Sequence, residues 1–258
     1  MSETFIPAVI EMRGVNIGAA ARPAANDVNW SVRPGEFWVV AGQQQSGKSN
    51  LLMHAAGLTP PAQGGCRVFG CATDSFDDAH LAERLRAGFV FAGGKLFNHL
   101  TVAENVALPL RYQKNLTAAA AAGEVGALLK LLELGPFADA TPANLAVNWR
   151  QRAALARALV LKPELLLLDS PLAGLGVPHR RWLQAFLDRL WRGHEWLGGR
   201  PLTLAVTTDD LRPWRHPDRK FAVLDEQTFT VLGSWREVES AQIRTVKDLL
   251  AEPVETTL

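Results

Sequence analysis

Little in this 258-residue chain marks a secreted, membrane-spanning or nucleic-acid-binding protein. Its two cysteines, Cys66 and Cys71, are too few for a disulfide scaffold, and with no further pair or nearby histidine cluster they do not form a zinc site. They read as reduced structural thiols. The formal net charge is only +1 and no basic run is present, so nothing offsets the charge of a phosphate backbone, and nucleic acid is excluded as a partner. No apolar stretch approaches the roughly 20 residues that cross a bilayer. The start, MSETFIPAVIEM, has neither the positive flank nor the apolar run of a secretory signal, so a cytoplasmic chain is expected. The six histidines show no metal-binding spacing, and His179, His194 and His216 read as surface polar groups. Internal repeats and long linkers are also absent.

What is present suits a large α/β core, with 48% apolar and 21% charged residues. AVIEMRGVNI, DVNWSV and FWVVAG read as strands separated by turns such as RPGE. A helix follows at residues 48–57 and stops at Gly57. After the strand RAGFVFAGG comes a helical region from about Val102 to Leu134 that contains the alanine run Ala118 to Ala122. Helices are then expected at Trp149–Leu161 and Arg180–Trp196, each preceding an apolar strand, LLLLD and LTLAVTT. Strand and helix in alternation argue for a parallel sheet covered on its faces. FAVLD and TFTVLG suggest a closing antiparallel pair, followed by a short helix and a polar tail. Trp30, Trp38, Trp182 and Trp191 fall on these elements as core or interface groups.

Between the strand FWVVAG and the helix after it lies Gly42-Gln43-Gln44-Gln45-Ser46-Gly47-Lys48-Ser49, a full match to the phosphate-loop pattern G-x-x-x-x-G-K-[ST]. Glycines let successive backbone N–H groups turn inward, Lys48 reaches the β and γ phosphates, and the Ser49 hydroxyl suits Mg²⁺. The helix aims its positive end at the same anion. Asp169, closing the run LLLLD, is the natural second half of such a site, because a carboxylate there holds Mg²⁺ through water.

These segments together resemble an ATP-binding subunit of an ABC transporter over nearly the whole chain, from about Val9 to Leu250. RPGEFWVVAG leads into the loop as in that family. GKLFNHLTVAENVALPLR resembles the segment after the Q-loop strand. RQRAALARALVLKPELLLLDSPLAGL resembles the signature helix running into the Walker B strand, and LTLAVTTDD and DRKFAVLDE fit the final strands. Within the family, ENVALPLRYQKNLT is most similar to ATPases of MlaF type, which serve lipid transporters with Mce-domain partners. The resemblance implies one domain over residues 1–258 with the P-loop NTPase fold of ABC type. Its parts would be a mostly parallel sheet flanked by helices, an antiparallel N-terminal β part, a helical subdomain inserted at about 93–160, and a short tail at 252–258. It also implies Mg-ATP as ligand and a homodimer or heterodimer with another such subunit. Membrane contact would come only through permease subunits on the inner face, with docking near Asn98 to Arg111.

Position by position, most of the family's reactive groups are replaced. Ala92 stands at the Q-loop glutamine. Leu145, Ala146, Val147, Asn148 and Trp149 stand where the signature has leucine, serine, two glycines and glutamine. Ser170 occupies the catalytic-glutamate position, Gly176 the D-loop aspartate and Thr208 the switch histidine. Ala19 is the nearest match to the aromatic that stacks on adenine. Within the loop, Gln45 replaces an inner glycine and Asn50 a second hydroxyl residue. A serine cannot act as a carboxylate base, whose help is typically worth ~10²–10⁴ in rate. Ala146 and Val147 remove a hydroxyl and put a branched side chain where glycine lets backbone N–H groups approach phosphate.

Lys48, Ser49 and Asp169 persist, so the expected protein is a transporter subunit that holds Mg-ATP, with Gln43, Gln44, Gln45, Ser46, Gly47 and Asn50 around the phosphates, but hydrolyses it poorly or not at all. A second reading is a working transport ATPase with substitute groups, Asp209 and Asp210 being candidates. A third is a structural or regulatory protein that binds no nucleotide.

Overall fold

The computed structural model describes residues 7–19, 22–75 and 81–251; the expected tail at 252–258 lies outside them. The chain divides into two compact units, one made of Met1–Phe76 with Ala205–Leu258 and the other of Asp77–Leu204.

In the first unit, β1 (Ile10–Ala19) and β2 (Arg22–Val32) form an antiparallel hairpin. On its other edge β1 pairs with β4 (Gly65–Val68), which turns into β5 (Cys71–Ala72). This is the antiparallel N-terminal β part that the family resemblance implies. Both thiols are free, and burial pushes Cys66 up to about 11, an inert group packed under the sheet. β3 (Phe37–Gly42) is buried at every position and runs parallel to β9 (Lys220–Asp225), which in turn pairs antiparallel with β10 (Thr228–Gly233). Continuous apolar strands such as FWVVAG, with no polar face, are what burial on both sides demands. Trp30 and Trp38 pack edge to face at 5.8 Å, as core tryptophans do. α1 (Lys48–Ala55) follows β3 after the phosphate loop, and α7 (Trp235–Ser240) and α8 (Arg244–Leu250) close the unit. The unit boundary falls within β8 (Thr203–Thr208), also buried throughout.

The second unit carries the parallel pair β6 (Ala87–Val90) and β7 (Leu165–Leu168), in register from Ala87 opposite Leu165 to Val90 opposite Leu168. A short α2 (Leu81–Arg84) precedes β6. The long helical region resolves into α3 (Val102–Gln113) and α4 (Ala118–Leu131), separated where Asn115 takes φ +49°. Thr101 and Glu104 cap α3 reciprocally, and those bonds hold the Glu104 carboxyl below its ordinary value. Thr117 caps α4. α5 (Val147–Leu159) begins two residues before the expected start at Trp149. α6 (Val177–Arg192) begins earlier than Arg180 because Pro178 suits a first turn, and it ends before Trp196 because Gly193 turns the chain at φ +108°. Its buried stripe is Leu183, Phe186, Leu187 and Leu190.

Candidate nucleotide site

The loop from Gly42 to Ser49 leaves the buried end of β3 and enters α1 through Gly47, which has φ +94° and caps the helix with no side chain of its own. A Cβ at Gly47 would lie 2.5 Å from the Cβ of Ala24, so neither the backbone angle nor the space admits another residue. Lys48 opens α1 and is only 7% exposed. Its Nζ donates to the carbonyls of Gly42 at 2.7 Å and Gln43 at 2.5 Å and to Ser46 Oγ at 3.3 Å, so the ammonium is held over the loop by the loop's own oxygens. Gln43, Gln44 and Gln45 are exposed, Ser46 and Asn50 half-buried, and Ser49 exposed in the first helical turn. Gln45 takes φ +64°, a left-handed angle that favours glycine and costs a side chain about 1–2 kcal/mol. A cavity of about 1020 Å³ lies beside the loop, lined among others by Ala24, Gln43, Gln45, Ser46, Arg244 and Asp248.

In the second unit Asp169 continues β7, is 6% exposed, and donates its backbone N–H to the Val90 carbonyl at 2.8 Å. Ser170 follows at φ +46°, with its Oγ 3.5 Å from Asp169 Oδ1. Ala92 is exposed in the turn after β6. Thr208, at the end of β8, is 6% exposed and engaged by its own turn: its hydroxyl donates to the Asp210 carbonyl at 2.8 Å and accepts the Asp210 N–H at 3.1 Å. The Asp210 carboxylate accepts two bonds from the Arg212 guanidinium, each 2.8 Å. Both of its oxygens are thus engaged within its own turn. Asp209 is exposed.

The segment at the signature positions is packed. Leu145 and Asn148 are buried, Val147 and Trp149 half-buried, and Ala146 exposed at the N-cap of α5 with no side-chain bond to the helix. The Trp149 ring lies 4.6 Å from that of Phe137 and 4.7 Å from the Arg152 guanidinium. Sequence reasoning missed this cluster. Nothing local in the sequence points Arg152 at Trp182, whose ring centroid lies 3.5 Å from its guanidinium carbon. The three histidines read as surface groups are each half-buried and engaged: His179 lies 3.5 Å from Asn148, while the Nδ1 atoms of His194 and His216 accept backbone N–H groups of Trp196 and Asp218. Burial, helped by the charge of Arg189, holds His194 below its ordinary value.

A profile of the ABC transporter family matches residues 25–173, from β2 through the phosphate loop to the turn beyond Asp169. The chain belongs to the ATP-binding subunits of the ABC transporter family. It is 36% identical over 228 residues to the sulfate/thiosulfate import ATP-binding protein CysA of Rhodopseudomonas palustris, covering 87% of this chain and 63% of that one. It is 32% identical over 229 residues to the spermidine/putrescine import ATP-binding protein PotA of Trichodesmium erythraeum, covering 89% and 57%. The chain therefore spans less than two thirds of the length of these relatives. Its structure is similar to a dimeric, post-hydrolysis state of the ATP-binding cassette MJ0796 bound to ADP and Pi, with a TM-score of 0.74, 28% identity, and coverage of 85% of this chain and 95% of that one. The ABC cassette fold, an α/β fold with an antiparallel N-terminal sheet, is thus the fold of this chain. Among the described residues no helix is long and apolar enough to cross a membrane.

Proposed function

We propose that this ABC subunit binds Mg-ATP through Gly42 to Asn50, hydrolyses it slowly or not at all, and serves a membrane transport complex in a structural or regulatory role. The observation that carries the reading is the phosphate loop itself. Lys48 is buried and poised at the N-terminus of α1, whose positive end faces the loop. The groups that would activate water are replaced by Ser170 and by a Thr208 already committed to its own turn. Ser49 carries a hydroxyl and Asp169 a carboxylate, each an oxygen donor of the kind that a hard cation such as Mg²⁺ takes. The metal would supply charge neutralisation at the phosphates.

The names of the relatives, each an import ATP-binding protein, support a permease as partner. Those names concern sulfate, thiosulfate or polyamines and give no support to the lipid cargo suggested by ENVALPLRYQKNLT. A groove of about 690 Å³ in the second unit, lined among others by Phe91, Phe97, Leu108, Tyr112 and Arg157, overlaps the docking segment Asn98 to Arg111. Phe97 and Tyr112 are 52% and 76% exposed there, as befits a surface that another chain covers. Calorimetric titration of Mg-ATP into the protein and into Lys48→Ala tests the reading. Saturable heat lost in the variant, with turnover far below the ~10 s⁻¹ of a typical enzyme, supports it. A flat titration of the parent chain favours the reading without nucleotide, and ordinary turnover abolished in Lys48→Ala favours the working ATPase.

A further inference from the structure

The replaced signature residues are joined to α6 by an aromatic and cationic cluster that no catalytic role requires. Arg152, on α5 and 6% exposed, lies with its guanidinium carbon 3.5 Å from the centroid of Trp182 on α6 and 4.7 Å from that of Trp149. The same guanidinium donates to Glu133 Oε2 at 2.5 Å and to the Leu132 carbonyl at 3.3 Å, just beyond α4. Trp182 Nε1 in turn donates to Glu133 Oε1 at 3.3 Å. A guanidinium between two indoles with a carboxylate at its edge satisfies both the π faces and the fork of donors. On the far side of Trp149 lies the first turn of α6. His179 meets the Trp149 ring edge to face at 6.1 Å, and its Nδ1 is 3.5 Å from Asn148 Nδ2.

We infer that Trp149, Arg152 and His179 are positioning residues that lock the signature-position turn of α5 to the first turn of α6, so that the segments 145–149 and 176–179 behave as one rigid patch. Asn148 and Trp149 stand where the family has glycine and glutamine, and both now touch His179, three residues beyond Gly176. Replacing residues 146–149 by the family residues alone would strip α6 of the side chains that its first turn leans on. This inference goes beyond nucleotide binding and does not depend on it.

Hydrogen exchange of the full chain, read by mass spectrometry, provides the test. Trp149→Gln is expected to speed exchange in the first two turns of α6 by about two- to tenfold, the equivalent of an aromatic contact worth ~0.5–1.5 kcal/mol. Trp149→Phe, which keeps a ring, stays near the parent. His179→Ala speeds exchange in the first turns of α5 by a similar factor, and the double variant adds little to either. Unchanged α6 exchange in Trp149→Gln, or effects that simply add, overturns the proposal. If Trp149→Gln does not fold, His179→Ala read at α5 decides it alone.

Discussion

The phosphate loop matches its pattern in full, whereas the segment 145–149, which resemblance alone sets at the family's signature, departs from its pattern at four of five positions. In the loop, function and folding demand the same residues. Gly47 is fixed by a φ of +94° and by the closeness of Ala24, and Lys48 is buried under three loop oxygens. Changing either disturbs the packing of β3 and α1 even when no nucleotide is present. In the segment 145–149, Trp149 packs on Phe137, Arg152 and His179, and Asn148 meets His179.

The contrast is sharpest at Lys48. Replacing it with alanine removes charge-assisted hydrogen bonds worth ~1.5–3 kcal/mol to a bound phosphate, so Mg-ATP affinity should fall about 10- to 100-fold by calorimetry. Retained affinity would show that the loop is a relic of folding alone. On the signature side, Arg152→Ala empties the space between two indoles and removes the donors to Glu133. A loss of about 2–4 kcal/mol in urea unfolding is expected, since a desolvated cation–π contact and charged hydrogen bonds disappear together. A loss under ~0.5 kcal/mol would mean that the cluster is mere surface packing. Ala146→Ser offers the missing cap to α5 at an N-cap whose backbone, at φ −64° and ψ 157°, is already suitable. A gain of about 1 kcal/mol is expected in the same measurement.

Smaller effects test the strained positions. Gln45→Gly relieves a left-handed angle but frees the unfolded chain, and because the two terms nearly cancel, stability should shift by less than ~1 kcal/mol. Ser170→Glu alone should leave ATP turnover unchanged in a phosphate-release assay, because Thr208 and residues 145–149 remain altered. A large gain would show the other losses to be tolerable and would erase the contrast.

Much of this was legible in the sequence because it is local. The span FWVVAG coincides with β3, the antiparallel pair of β9 and β10 was visible in FAVLD and TFTVLG, and the glycine–lysine spacing marked the loop. Helix limits moved by a turn where Pro178 and Gly193 overrode periodicity. Two things were not legible. One was backbone conformation: Gln45 and Ser170 hold positive φ angles that no residue preference for glutamine or serine foretells. The other was the meeting of Trp149, Arg152, Trp182 and Glu133, which lie on or beside three helices and are brought together only by packing. With no metal-binding spacing around it His179 reads as a surface polar group, and its contact with Asn148 and Trp149 comes from the fold.

The absent side chain of Gly47 leaves a space that is filled by the methyl group of Ala24 on β2. The hairpin and the loop are therefore gauged against each other, and any bulk added at position 24 is transmitted to the turn that places Lys48. In a saturation library scored for folding, position 24 should accept glycine or alanine and little else, so that a surface hairpin with no polar group of its own at this point sets the tolerance of the phosphate loop.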